Sequence, residues 1–292
     1  MLGEEIATSL RGRTLKYEVS TLSFKEFLRF KNFVYETPAD FYNPEKKAKI
    51  KKYFEEYMIY GGFPEILFLE KDLKIKTLQE YFEVMLYKDL VERYNINDLF
   101  VLKYFLKRLI ENSTKLVSVN KIFNELKSEG FKIGKDTLYK YLDYSENSHI
   151  IKLLKKHYIS LHKRELGEKK IYPVDNGLIT SLNFLGIENY GKLLENVLFH
   201  KLSIKSKEIY YYREKKECDF IIFENKKPSL IQVSYSLDDD KTLKREIGGL
   251  ADACRYFKVD KADIITFDDY KELQLQTDNL TINVTPAWQF LS

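Results

Sequence analysis

The chain is poor in cysteine: Cys218 and Cys254 are the only two in 292 residues, and they form no CxxC pair. A thiolate metal site and a disulfide scaffold are thereby set aside, and a reduced, cytoplasmic chain is the expectation. Glycine is sparse as well, with 12 residues scattered or paired at turns, and none builds a GxxxxGK[ST] loop. Without that cradle of backbone amides the chain cannot hydrolyse ATP by the phosphate-loop route unaided. HExxH, GxSxG and any tight Cys/His cluster are also missing. No apolar run approaches the roughly 18 residues of a membrane span, so no membrane partner is expected. The start, MLGEEIATSL, carries acids where a signal peptide needs bases and an apolar core. The net charge is only +4, so any nucleic-acid footprint has to come from local clustering.

What is present is a globular composition, 44% hydrophobic and 32% charged, in a chain longer than one core usually spans. Three segments follow one another. In the first, residues 1–96, a short helix leads to Arg11-Gly12-Arg13 and a strand candidate, TLKYEV. Ser23 and Glu26 then read as a capping box for SFKEFLRF. A lone strand needs neighbours. It either joins the C-terminal sheet or belongs to a domain whose first part lies elsewhere, and the second reading is favoured. Pro44 to Tyr60 reads as a charged helix stopped by Gly61-Gly62-Phe63-Pro64. A long amphipathic helix runs from about Leu73 to Tyr94, with Leu78, Tyr81, Phe82, Met85, Leu86 and Leu90 as its core face.

The second segment, residues 97–185, reads as three helices, an extended IIKLLKKHYI, a polar hairpin-like HKRELGEKK and a strand IYPV. That order is the layout of a winged helix-turn-helix. Between Lys132 and Lys170 stand nine Lys and one Arg against five acids, a local excess of +5. Lys135 and Lys140 fall on the expected recognition helix. Lys155, Lys156, Lys163 and Arg164 fall on the strands and wing, with Lys152, Lys169 and Lys170 beside them. Such side chains can neutralise phosphates and release counterions; equally, they can form a face that docks against another domain. The histidines of this stretch, His149, His157 and His162, lack ligand spacing.

The third segment, residues 186–292, carries the chemistry-bearing residues. Glu195 lies on the helix GKLLENVLFHKL. Two apolar strands follow, EIYYYRE and ECDFIIF, the second holding Asp219. PSLIQVSYSL then brings Gln232 and Ser234, and a helix, a strand and a tail complete the unit. An acid on a helix, an Asp at a strand start and acid-x-Lys on the next strand resembles the core of PD-(D/E)xK nucleases. Here the last element reads Gln-Val-Ser. Carboxylates such as Glu195 and Asp219 would hold Mg²⁺ in such a site, and Gln232 could add a carbonyl oxygen. Ser234 cannot supply the missing positive charge, and no other lysine is well placed by sequence.

Taken together, LRGRTLKYEVSTLSFKEFL, the Tyr60–Glu65 turn YGGFPE, KKIYPVDNGLI, LLENVLF and TPAWQFL are similar to the C-terminal two-thirds of archaeal-type AAA+ ATPases that carry a winged helix and an endonuclease-like end domain. The resemblance implies an α/β-plus-α chain: a remnant AAA+ strand and helical lid, a winged helix-turn-helix, and a restriction-endonuclease-like α/β domain. The family's phosphate-binding half has no counterpart. Met1 falls just before the final strand of its ATPase core. Arg11 and Arg13 match the region where such proteins place a finger arginine, so a nucleotide contact in trans is implied. The expected function is a DNA-binding or assembly module with a degenerate nuclease-like domain, non-catalytic on its own. No cofactor is fixed by the sequence: Mg²⁺ would be bound only by an active nuclease-like site, and ATP only with a missing P-loop domain or a P-loop ATPase subunit or paralogue. The alternative is a Mg²⁺-dependent DNA endonuclease.

Overall fold

The structure is a computed structural model that describes residues 18–33, 43–182, 189–275 and 280–292. Arg11, Arg13 and most of TLKYEV lie outside the described residues.

Helix α1 (Phe24–Phe30) begins as its sequence predicts. The Ser23 hydroxyl accepts from the Glu26 amide, and the Glu26 carboxylate accepts from the Ser23 amide at 2.8 Å. Both answer donors that a helix start leaves open. Helix α2 (Pro44–Tyr60) is capped by Asn43 and stops at Gly61, whose φ of 79° and ψ of −161° suit a residue without Cβ. Helix α3 (Lys71–Val84) buries Leu78 and Phe82, then widens into a π-helical stretch, Met85–Glu92, that buries Leu86 and Leu90. The periodicity predicts one helix here; the extra π-helical slack is the departure from it.

Three further helices, α4 (Leu99–Glu111), α5 (Val119–Ser128) and α6 (Lys135–Asn147), lead to a two-stranded antiparallel ribbon. Its strands are β1 (Ile151–Lys155) and β2 (Lys169–Pro173), paired Leu153↔Ile171. The segment between them forms a short helix, α7 (Leu161–Leu166), rather than a hairpin. Ser160 accepts from the Lys163 amide and so starts a helical turn that Gly167 ends. Helix α8 (Asn176–Leu182) follows the ribbon.

The rest is a six-stranded mixed sheet in the order β3-β4-β5-β6-β8-β7. Helix α9 (Tyr190–Lys205) precedes an antiparallel meander of β3 (Ile209–Arg213), β4 (Glu217–Glu224) and β5 (Lys227–Val233). Helix α10 (Asp240–Phe257) crosses to β6 (Lys261–Thr266), parallel to β5. β7 (Lys271–Leu275) and β8 (Leu280–Pro286) close the sheet, with β8 parallel to β6, and α11 (Ala287–Leu291) ends the chain.

Strand β4 explains why the sheet is central. Phe220 and Ile222 face one apolar cluster and Ile221 the other, as period-two alternation requires, while Cys218 joins the cluster of Ile221 across a register shift between β3 and β4. Both faces being apolar, Phe220 to Phe223 form a continuous hydrophobic run. The first cluster is continuous from Phe24 in α1 through the three-helix segment to Trp288 in α11. The second is smaller and sits under α10.

A buried polar joint ties the early helices to the ribbon and α9. Asp175 is 4% exposed, and its carboxylate accepts from the Gly62 amide at 2.9 Å and the Gly177 amide at 2.8 Å. Asn176 donates to the Met58 and Leu193 carbonyls, and Asn196 donates to the Asn176 amide oxygen at 2.8 Å. The GGFPE and PVDNG motifs are thus two halves of one contact.

Candidate functional site

Glu195, on α9, and Asp219 and Gln232, on adjacent strands, lie close together. Asp219 stands third on β4, and the register Phe220↔Ile231 places it across from Gln232 at the end of β5. The Gln232 amide oxygen accepts from the Asp219 amide at 3.2 Å, and the Val233 amide donates to Asp219 Oδ2 at 3.1 Å. Gln232 Nε2 donates in turn to Glu246 of α10 at 2.6 Å. This close approach of α10 requires Gly249, where a Cβ would stand 2.1 Å from the Glu217 carbonyl oxygen. Ser234, two residues beyond Gln232, is 6% exposed and donates its hydroxyl to the Ser236 carbonyl.

A lysine does enter the site, from the ribbon, which corrects the expectation that none is well placed. Lys170, second on β2 and 2% exposed, places Nζ 3.3 Å from Glu195 Oε1, 3.2 Å from Asp219 Oδ1 and 2.7 Å from Glu217 Oε1. Tyr172, two residues along the same strand, donates its hydroxyl to Glu195 Oε1 at 2.7 Å. Positions i and i+2 share a strand face, so both side chains reach one carboxylate. Lys170, Glu217, Tyr172 and Glu246 are the site residues that sequence reasoning missed. Lys170 was counted with the basic wing, and nothing local marks a contact with Asp219 across 49 positions.

The electrostatics follow from burial. Burial opposes the Lys170 charge, yet Glu195, Tyr172, Asp219 and Glu217 hold its pKa well above the usual lysine value. Burial raises Glu195 to about 7, against the pull of Lys170 and with Asp219 adding to the rise. Asp219 is raised for the same reason, opposed chiefly by Lys170. Burial also raises Glu246, with Arg245 opposing.

The residues as placed do not fit a resident Mg²⁺. Both Asp219 oxygens and Glu195 Oε1 already accept hydrogen bonds, and an ammonium stands among the carboxylates. Among the described residues no group of three His, Cys, Asp or Glu is placed to hold a metal ion.

Above this acidic floor opens a cleft of about 1180 Å³ between the start of α9, the β3–β4 turn and α10. Seven cationic side chains line it: Lys192, Arg213, Lys215, Lys216, Lys241, Lys244 and Arg245. All but the half-buried Lys192 are exposed.

The basic residues of the ribbon segment divide. Lys135, Lys140 and Lys163 are exposed. Lys155 pairs with Glu165 at 2.5 Å. Lys156 lies over the Tyr158 ring and near Glu214, while Arg164 donates to the Tyr158 carbonyl and the Tyr210 hydroxyl. The amide of His157 donates to the Tyr211 carbonyl of β3, so this end of the ribbon is laid against the sheet. Lys156 and Arg164 therefore serve an internal docking contact. His149, His157 and His162 form no metal cluster.

A family profile described as "Domain of unknown function (DUF8612)" matches residues 51–190. That span takes in most of α2, the three-helix segment and the ribbon, which share one apolar cluster. The chain is 35% identical over 301 residues to the uncharacterized protein MJ1544 of Methanocaldococcus jannaschii, covering 99% of this chain and 66% of that protein. It is 30% identical over 241 residues to an uncharacterized protein of Haemophilus influenzae, covering 82% of this chain and 58% of that one. The chain thus spans just under two thirds of the archaeal relative's length and less of the bacterial one's. Among solved structures, a half-complex of Thermococcus gammatolerans McrB AAA+ hexamers with bound McrC overlaps 62% of this chain and 46% of that one, at 16% identity and a TM-score of 0.27. No helix among the described residues is long and apolar enough to cross a membrane.

Proposed function

We propose that this chain is the DNA-binding or assembly module of an AAA+-type ATP-binding protein, with its nuclease-like domain serving as a binding platform instead of a catalyst. The observation that carries this is the cationic cleft over a carboxylate floor whose positive partner is a lysine of the same chain. Cations spaced along a cleft suit a polyanionic backbone, and their binding releases condensed counterions. The element order supports the wider reading: early helices, three helices with a ribbon, then helix, meander, helix and strand. The archaeal relative extends beyond the matched region by about a third of its length, room for a nucleotide-binding half. ATP would then be bound by that half or by a P-loop partner, with Arg11 or Arg13 reaching it in trans.

Fluorescence anisotropy with labelled duplex DNA across a salt series tests the proposal. Changing Lys215, Lys216 and Lys244 together to Glu should weaken binding by at least about tenfold and flatten the log K against log[salt] slope by about 3. The same change at Lys135, Lys140 and Lys163 reports on the ribbon face. If neither triple variant alters affinity or slope, the chain does not bind DNA through either surface.

The alternative, a Mg²⁺-dependent endonuclease, is favoured by the convergence of Glu195, Asp219 and Gln232 alone. Plasmid nicking by the unmodified chain in Mg²⁺, abolished by Asp219→Asn, would establish it.

A further inference from the structure

We infer that Lys170 is the tethered cation of the nuclease-like pocket: its ammonium holds the seat among Glu195, Glu217 and Asp219 that a divalent ion would otherwise take. The pocket is therefore metal-independent, and the same contact bolts the ribbon to the α/β sheet. This stands whatever the cleft binds.

The geometry is that of a seated cation rather than a surface ion pair. Three carboxylates from two elements, α9 and β4, converge on one Nζ within 3.3 Å. Of the ammonium's three donors, two are hydrogen-bonded to Glu195 and Asp219, and Glu217 adds an ion pair at 2.7 Å. The Tyr211 ring lies 5.6 Å from the same nitrogen and Tyr172 completes Glu195, so the lysine is enclosed by aromatic and acidic groups.

The lysine is also held in place from behind. Its residue pairs with Leu154 of β1 and bridges to Leu116 on its other side. Strand β2 therefore cannot withdraw the side chain without breaking ladder bonds on both edges. A metal ion would have to displace a covalently tethered competitor, while the Val233 amide already occupies the other Asp219 oxygen. A buried ion persists when it is paired and hydrogen-bonded, and Lys170 is paired with three carboxylates and hydrogen-bonded to two of them without an exogenous ligand.

The substitution at the motif position is consistent with this. Ser234 turns its hydroxyl back to Ser236 and adds no charge near the carboxylates. The pocket's positive charge comes from a strand of the ribbon segment instead of from the sheet's own third strand.

The test is Mn²⁺ binding, followed by the free-ion electron paramagnetic resonance signal at pH 7.5. The wild-type chain should show no site tighter than about 1 mM, whereas Lys170→Met should gain one site at least about tenfold tighter. Adding Asp219→Asn to Lys170→Met should remove that site. A wild-type site abolished by Asp219→Asn would overturn the inference, as would a folded Lys170→Met chain that gains none. Should Lys170→Met fail to fold, the wild-type chain decides through its lysine side-chain ¹⁵N spectrum. One ammonium signal that survives fast solvent exchange at pH 8, shifts in Glu195→Gln and is untouched by sub-millimolar Mn²⁺ supports the inference. Absence of that signal, or its paramagnetic broadening by Mn²⁺, overturns it.

Discussion

Replacing Gly61 with alanine should be among the most damaging single changes in this chain, and the structure says why. Gly61 holds φ 79° and ψ −161°, a backbone conformation that is essentially glycine's own. Forcing alanine into it costs about 1–3 kcal/mol. A Cβ there would also stand 1.6 Å from Asp175 Oδ1, an impossible distance. Asp175 would have to swing away, orphaning the buried Gly62 and Gly177 amides at about 1–3 kcal/mol each. Partial relaxation of the turn shares these terms, so a loss of about 3–6 kcal/mol is expected. Urea unfolding read by the single tryptophan measures it, since Trp288 is 2% exposed within the main core. A double-mutant cycle isolates the cause. Asp175→Ala removes the colliding carboxylate and already orphans both amides, so Gly61→Ala should cost only its backbone strain in that background. A loss below about 1 kcal/mol for Gly61→Ala, or strict additivity of the two changes, would refute the joint.

The remaining predictions concern protons and thiols. Burial raises Asp175 to about 6, with the Gly62 and Gly177 amides opposing. The folded state therefore binds this proton more tightly than the unfolded state does, and the stability it confers is lost as pH rises through 6. With the unfolded value at 3.8, the gain at pH 5 over pH 8 is about 1.4 kcal/mol, so Asp175→Asn should cost more at pH 5 than at pH 8 by that amount in urea titrations. Cys218 and Cys254 are 0% and 4% exposed, and burial raises the Cys218 thiol well above the ordinary value. Neither should react with an aromatic disulfide reagent in the folded chain, and both should react in denaturant.

What could be read in advance was whatever local spacing encodes. The capping box at Ser23 and Glu26 and the α2 boundaries at Pro44 and Tyr60 emerge at the predicted residues. The segment between the ribbon strands was misjudged because its polar residues and glycine read as a turn. The weak local cap at Ser160 was enough to start a helix there instead. Glu195 and Asp219 could be singled out because each sits at a fixed place on its own element, and the structure brings both to Lys170.

Lys170 was invisible for the opposite reason. Its neighbours Lys169 and Glu168 make it look like one more solvated charge, and β1 and β2 alternate too briefly to mark one lysine as inward-facing. Only the docking of the ribbon on β3, through His157 and Tyr211, decides that Lys170 and not Lys169 meets the carboxylates. The same docking takes Lys156 and Arg164 out of the basic face that composition suggested. A charge tally along the chain cannot separate these roles, because the three lysines at 155, 156 and 170 differ in partner and not in type. One ends on an exposed acid, one between a tyrosine ring and an acid, and one within the carboxylate pocket. Ser234 adds no charge beside the carboxylates, and the cation that pairs with Glu195, Glu217 and Asp219 comes from β2 of the ribbon.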